Sequence, residues 1–131
     1  MDTLSNMLST IKNAYLVRKE AVEVPYSKQS EAVAKVLEAS GFVKKVKSFK
    51  HKGKAYKGLS IELSYDETDL PKLMNVRRIS KPGRRIYKKA DEIRSVKGGY
   101  GVLVVSTPRG IMSGDEARKR RLGGELICEV W

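Results

Sequence analysis

The sequence has one cysteine, Cys128, and one histidine, His51. A lone cysteine excludes an internal disulfide, and with a lone histidine it leaves too few soft ligands for a structural zinc site. Neither a metal nor any other cofactor is expected. Long apolar runs are missing as well. Stretches such as Val102 to Val105 fall far short of the roughly 20 residues a helix needs to cross a bilayer, so no membrane-spanning segment is expected. Met1 to Thr10 lacks the charged region, apolar core and small-residue cleavage site of a secretory signal, which makes the cytoplasm the expected location. Acidic residues are outnumbered, 15 against 27 Lys and Arg, giving a net charge of +12. That excess points to a polyanionic partner, although charge alone does not separate RNA from DNA or from an anionic membrane surface.

What is present suffices for a folded protein. A chain of 131 residues can form one domain or two small ones, and 40% hydrophobic content places it outside the disordered class. Leu4, Met7, Leu8, Ile11, Ala14 and Tyr15 recur at helical spacing behind the capping candidates Asp2 and Thr3, which predicts a helix over Thr3 to Arg18. Ala21 to Val24 reads as a short strand before Pro25. Ser27, four residues ahead of Glu31, heads a second helix that runs to Ser40, with Gly41 placed for the left-handed conformation that ends it. Phe42 to Phe49 and Tyr56 to Tyr65 read as strands joined by a basic turn, His51-Lys52-Gly53-Lys54. An acidic stretch with Pro71 marks a junction. Beyond it Met74 to Ser80, Arg85 to Lys88, Val102 to Thr107 and Leu126 to Trp131 are expected strands. They are separated by Lys81-Pro82-Gly83, Gly98-Gly99, Pro108-Arg109-Gly110 and Gly123-Gly124, read as turns. Ser113 to Glu116 fits a capping box before a short helix over Asp115 to Arg121. The expected fold is therefore α+β: an α/β half over 1–70 with two helices on a small sheet, and a β-rich half over 71–131 with one short helix.

Seven of the thirteen residues from Arg77 to Lys89 are basic: Arg77, Arg78, Lys81, Arg84, Arg85, Lys88 and Lys89. Long cationic side chains on both arms of a proline-glycine turn can reach successive phosphates and release their counterions. Tyr87 lies among them, either stacking on an unpaired base or packing in the core beside Ile86. Neighbours on a strand face opposite ways, so Ile86 and Tyr87 cannot both be buried on one face. Ser106 and Thr107, followed by Pro108, Arg109 and Gly110, carry hydroxyls that can bond base edges, 2′-hydroxyls or phosphates. From spacing alone, ordinary turn-forming roles account for both. Glu125, after Gly123 and Gly124, is either a salt-bridge partner or an acceptor from a base amino group or 2′-hydroxyl. Arg118, Lys119, Arg120 and Arg121 form a further basic run that a solvated helix face also explains.

Enzymatic readings fare worse. Gly98-Gly99-Tyr100-Gly101 precedes a strand, whereas nucleotide-binding loops follow a strand and open a helix. His51 has no carboxylate or cysteine nearby to make it a general base, and reads as a surface residue. Cys128, inside an apolar strand, reads as a buried inert thiol. No catalytic residue is assigned. A basic DNA-associated protein remains an alternative, separable by competition between duplex DNA and structured RNA.

Three segments carry a resemblance to one family. They are Arg78-Ile79-Ser80-Lys81-Pro82-Gly83-Arg84-Arg85-Ile86-Tyr87, Gly101 with Val104-Val105-Ser106-Thr107, and Glu116-Ala117-Arg118 with Gly123-Gly124-Glu125 and Cys128. The C-terminal half resembles the bacterial-type small-subunit ribosomal protein eight family, and weaker agreement at Met7-Leu8 to Asn13 and Pro25 to Lys28 extends it over essentially the whole chain. The resemblance implies a structural constituent of the small subunit that binds a helical junction in the central domain of small-subunit ribosomal RNA during assembly. It also implies neighbouring small-subunit ribosomal proteins as partners, and a location in a cytoplasmic or bacterial-type organelle ribosome. A messenger that mimics the ribosomal site could be bound for regulation, and the free chain is expected to be a monomer. By matching position, Tyr87 would lie on the RNA, Ser106 and Thr107 would contact distorted bases, Glu125 would accept hydrogen bonds, and Lys12 with Asn13 would form a second RNA-facing site. The expected RNA-binding set is Lys12, Asn13, Lys81, Arg84, Arg85, Tyr87, Ser106, Thr107, Arg109, Gly123, Gly124 and Glu125. One departure stands out: the family usually carries a further serine after the serine-threonine pair, where this chain has Pro108, which supplies neither hydroxyl nor N–H.

Overall fold

A computed structural model of the chain describes residues 3–50, 53, 57–66, 68 and 70–131. The chain divides into two compact units, Met1–Met74 and Asn75–Trp131. The first unit runs α1 (Thr3–Leu16), β1 (Ala21–Pro25), α2 (Lys28–Ala39), β2 (Val43–Lys50) and β3 (Lys57–Leu63). The apolar stripe of α1 is buried at Leu4, Met7, Leu8, Ile11, Ala14 and Tyr15, and that of α2 at Val33, Ala34 and Leu37. The strands form an antiparallel sheet in the order β1-β3-β2, and its register sets Val22 and Val46 on either side of Ile61. Those side chains face the helices and are buried. Tyr15 ties the layers together. Its hydroxyl donates to the Phe42 carbonyl at 2.6 Å and accepts from the Ser64 N–H at 2.9 Å. Burial pushes the phenol pKa up, since charge is disfavoured away from water.

Helix α1 stops two residues earlier than its periodicity predicts. Arg18 adopts a left-handed conformation, φ 57°, and its N–H bonds the Tyr15 carbonyl while the Lys19 N–H bonds that of Ala14. This pair of bonds satisfies carbonyls a helix end otherwise leaves orphaned. Gly41 ends α2 in the same way, as its position predicts, with Ser27 accepting from the Ser30 N–H at the other end. The basic turn expected at His51 to Lys54 lies outside the described residues apart from Gly53, as do Asp2, Tyr56 and the surface role read for His51.

The second unit holds β4 (Val76–Arg78), β5 (Tyr87–Lys88), β6 (Val102–Thr107), β7 (Gly110–Ser113), α3 (Gly114–Lys119) and β8 (Gly124–Val130). Its antiparallel sheet runs β4-β8-β6-β7, and β5 pairs the opening residues of β8. Ile93, Val96, Leu103, Val105, Met112 and Ala117 form its core cluster. Ser113 caps α3, accepting from the Glu116 N–H at 3.2 Å, which is one half of the expected capping box; the Glu116 carboxylate turns instead to Arg120 Nε at 2.7 Å. The helix ends at Lys119 because Arg121 turns left-handed. Strand β7 is absent from the sequence expectation. Its four residues are too few to display an alternation, and its partner β6 is what makes it a strand. Gly123 and Gly124 correct the expectation of a turn: neither has positive φ, and Gly124 begins β8.

Candidate nucleic-acid interface

Between β4 and β5 the edge of the sheet loops out and returns. Ser80 is buried, and its hydroxyl accepts from the Ile86 N–H at 2.9 Å, pinning the two feet of the loop. At the tip, Lys81 and Arg84 exchange backbone hydrogen bonds of 3.0 and 2.9 Å around Pro82 and Gly83. Proline presets the first turn position and Gly83, φ 84°, supplies the left-handed second one. Lys81, Arg84 and Arg85 thus stand in solvent on a braced hairpin. Strand β5 follows, with Ile86 half-buried and Tyr87 67% exposed, which excludes the core reading of Tyr87.

Register then decides which side chains meet. Tyr87 lies opposite Glu125, Glu125 opposite Ser106, and Ser106 opposite Ile111. Residues paired across an antiparallel sheet project from the same face, so Tyr87, Glu125 and Ser106 form one row about 10 Å long. Arg85 Nη1 lies 3.2 Å from Glu125 Oε2, which neutralises the one carboxylate in the row. The Ser106 hydroxyl is half-buried and has no hydrogen-bond partner among the described residues. Its neighbour differs. Thr107 Oγ1 donates to the Gly110 carbonyl at 2.7 Å and accepts from the Arg109 N–H at 3.1 Å, so this hydroxyl closes the hairpin whose exposed tip is Pro108 and Arg109.

The two glycines act through what they leave out. A Cβ on Gly124 would overlap the Ser106 carbonyl oxygen, and one on Gly123 would come within 2.6 Å of the Lys88 carbonyl oxygen. Both neighbouring backbones can therefore close on the start of β8, which holds the row together. The sequence showed these glycines as a turn signal and as part of the family resemblance, and neither announced this close approach.

Other expected residues disperse. Arg77 belongs to the sheet's opposite face, where it pairs with Glu129 at 3.3 Å, so the seven-residue basic run is not one surface. Lys81, Arg84, Lys88, Lys89 and Arg109 make no ion pair among the described residues. In α3 and just beyond it, Arg118 bonds Asp115 and the Ile93 carbonyl while Arg120 bonds Glu116, and Lys119 and Arg121 make no ion pair among the described residues. Lys12 and Asn13 occupy the partly exposed side of α1 in the first unit, beside exposed Leu16 and Val17. Ile111, which completes the row, escaped the sequence reading because nothing local marks it. Cys128 is fully buried, and desolvation pushes its thiol up to about 12, which fits the inert thiol read from the sequence. Among the described residues no cluster of His, Cys, Asp and Glu could hold a metal, and no helix is long and apolar enough to cross a membrane.

Comparison with known proteins agrees with the sequence resemblance. The family model described as ribosomal protein S8 matches residues 2–131. Small ribosomal subunit protein uS8 of Alcanivorax borkumensis is 46% identical over 129 residues, covering 98% of this chain and 96% of its own. That of Roseiflexus castenholzii is 41% identical over 130 residues, covering 99% and 97%. Small ribosomal subunit protein uS8c of Welwitschia mirabilis is 40% identical over 131 residues, the full length of both chains. A match this long, at this identity and with no large unmatched segment on either side, means that the chain belongs to the ribosomal protein S8 family.

Proposed function

We propose that the protein is a structural, non-catalytic constituent of the small ribosomal subunit that binds small-subunit ribosomal RNA directly and supports assembly. Its relatives carry the name of a small-subunit protein, which supports the ribosomal placement, in the cytoplasm or in an organelle of bacterial type, beside other ribosomal proteins. The observation that carries the RNA reading is the cross-strand row in which exposed Tyr87, the Arg85–Glu125 pair and the free Ser106 hydroxyl share one face. A ring can stack on an unpaired base, a hydroxyl can both donate and accept, and a carboxylate accepts from amino groups or 2′-hydroxyls. Lys81, Arg84, Lys88 and Arg109 around the row supply phosphate contacts, with Lys12 and Asn13 as a second contact on the first unit. Gly123 and Gly124 hold the backbone in place for this. Thr107 acts by shaping the hairpin, and with Pro108 at the next position the reading of RNA shape falls to Ser106 and Arg109. The target is the helical junction of the central domain, bound by a free monomer, and a messenger folded into the same shape would compete for the surface.

The test is binding of the full chain to a folded central-domain fragment and to random RNA of equal length. Ser106→Ala is expected to weaken the folded target about tenfold, and random RNA hardly at all, since a lost hydrogen bond to a charged or shaped site is worth roughly 1–3 kcal/mol. With about five phosphates engaged, affinity should fall on the order of a hundredfold or more between roughly 50 and 200 mM salt. Equal losses on both RNAs would remove Ser106 from recognition, a flat salt response would point to a protein partner, and preference for duplex DNA in competition would favour a DNA-associated role.

A further inference from the structure

We propose that Ser80 is a positioning residue for RNA binding: its hydroxyl fixes the basic hairpin at the sheet edge, so that Lys81 and Arg84 meet phosphates as a preset pair. The inference rests on the RNA reading above. It adds to that reading a buried group, itself out of reach of a ligand, that acts through the hairpin.

The backbone shows why a hydroxyl is needed here. Strands β4 and β5 lie along the same edge of β8 and act as one strand interrupted between Ser80 and Ile86. A single residue of β8 serves both feet. Leu126 accepts from the Ser80 N–H at 3.1 Å and donates to the Ile86 carbonyl at 2.9 Å. In an unbroken antiparallel ladder one partner residue would exchange both of these bonds. Because Ser80 takes the Leu126 carbonyl, the Ile86 N–H is left without a ladder acceptor. Ser80 Oγ supplies one at 2.9 Å and donates to the Ile86 carbonyl at 3.4 Å. With Ser80 1% exposed and Ile86 half-buried, water is poorly placed to substitute.

This clamp holds the whole basic excursion. Lys81, Pro82, Gly83, Arg84 and Arg85 are all exposed, three cations with no carboxylate among them. The Lys81–Arg84 exchange shapes the tip but bonds it only to itself. Among the described residues, the other side-chain bond from the excursion to the sheet is the Arg85–Glu125 ion pair at 3.2 Å, and a solvent-facing pair of this kind constrains little by itself. Cations on a fixed hairpin meet phosphates without the ordering cost that a loose loop incurs on binding. Tyr87 is held separately, by its pairing with Glu125. The Ser80 hydroxyl therefore governs the phosphate grip and leaves the row in place.

The experiment is a double-mutant cycle on the full chain, with binding to the folded central-domain fragment and to random RNA measured well below the melting point. Ser80→Ala should weaken both RNAs by about tenfold, the effect of roughly two lost phosphate contacts, since a phosphate grip carries no sequence information. In a Lys81→Gln, Arg84→Gln background the same substitution should cost less than about twofold, because its effect runs through those cations. Exchange of the Ile86 amide should also speed up. Tyr15→Phe, which removes a buried hydroxyl from the first unit, is the control for lost stability and should bind as the parent does. Where the alanine variant melts too early, Ser80→Cys keeps nearly the same volume with a weaker acceptor and should move affinity the same way by a smaller factor. Equal losses with and without the two cations, or the same loss in Tyr15→Phe, would overturn the proposal. So would parent-like affinity of Ser80→Ala when the parent binds RNA with the expected salt dependence. A flat salt response in the parent would remove the RNA reading, and the inference with it.

Discussion

The two units use a β-sheet for different ends. The first unit, 74 residues, carries 13 Lys and Arg against nine Asp and Glu, and packs two helices over its sheet with a phenol bonded into the core. The second, 57 residues, carries 14 against six, and leaves Tyr87, Glu125 and Ser106 open on a sheet whose back is only partly covered. In the first, sequence periodicity and burial say the same thing. In the second, the groups proposed to bind come from three strands far apart in sequence, and what aligns them is register. The Tyr15 hydroxyl inside the first unit is committed to the fold, as Ser80 and Thr107 are in the second, whereas the Ser106 hydroxyl is left without a partner among the described residues.

The sharpest way to break that contrast is to substitute one glycine in each unit. Gly124→Ala drives a methyl into the Ser106 carbonyl, parting β8 from β6 where the row is built. Overpacking of this kind costs roughly 1–3 kcal/mol, and binding to the folded RNA should fall a hundredfold or more because alignment is lost along with stability. Gly41→Ala meets no atom within 4 Å and only strains a left-handed φ of 83°. It should cost about 1 kcal/mol with RNA affinity unchanged. Thermal melts and a binding isotherm on both variants check this, and equal RNA losses would mean that binding follows overall stability and not the row.

Tyrosines give the next contrast. Tyr87→Leu removes an exposed ring, so affinity should fall by the roughly 1–3 kcal/mol of one stacked base while the melting temperature holds. Tyr15→Phe does the reverse. It strands the Phe42 carbonyl and the Ser64 N–H, costing roughly 1–3 kcal/mol of stability with RNA affinity intact. A Tyr87→Leu variant that melts early and binds normally would return that ring to a structural role.

How much of this was legible in the sequence follows the same divide. The stripes of α1 and α2, the alternation of β3 and the Ser27 and Ser113 caps are local patterns, and each marks its element within a residue or two. The left-handed ends at Arg18 and Arg121 were not legible, because arginine has no preference that announces them. Nor did adjacency separate Ser106 from Thr107: both are hydroxyls at a strand end, and only the fold of the hairpin commits one to Gly110 and Arg109. The pairing of Arg85 with Glu125 spans 40 residues and needs the sheet to exist first. Residue types in the last third therefore suggested the ligand proposed above, while the geometry that groups them had to come from β8 pairing with β5 and β6.

The smallest expected effect concerns Cys128, which sits in the same strand as Glu125 yet is fully buried. Desolvation is the largest cause of its raised pKa, outweighing the attraction of Arg78, and carries the thiol from 9.0 up to about 12. The folded state therefore keeps its proton at pH values where the unfolded chain gives it up. Stability contributed by this group is complete below about pH 9 and drains away as pH rises toward 12, because over that window the unfolded state binds fewer protons than the native one. Cys128→Ala removes the titration and leaves a small cavity, so at pH 7 it should lower stability by roughly 1 kcal/mol. Each pH unit above 9 removes about 1.4 kcal/mol from the parent alone, so the gap between variant and parent should shrink from pH 9 upward, close near pH 10 and reverse beyond it in denaturant melts, with RNA affinity the same in both at neutral pH. A gap that stays constant to pH 11 would mean that the thiol ionises in the folded protein as readily as in the unfolded one, and rapid alkylation of the native chain at pH 8 would say that β8 opens at its buried end as well as at the end that carries the row.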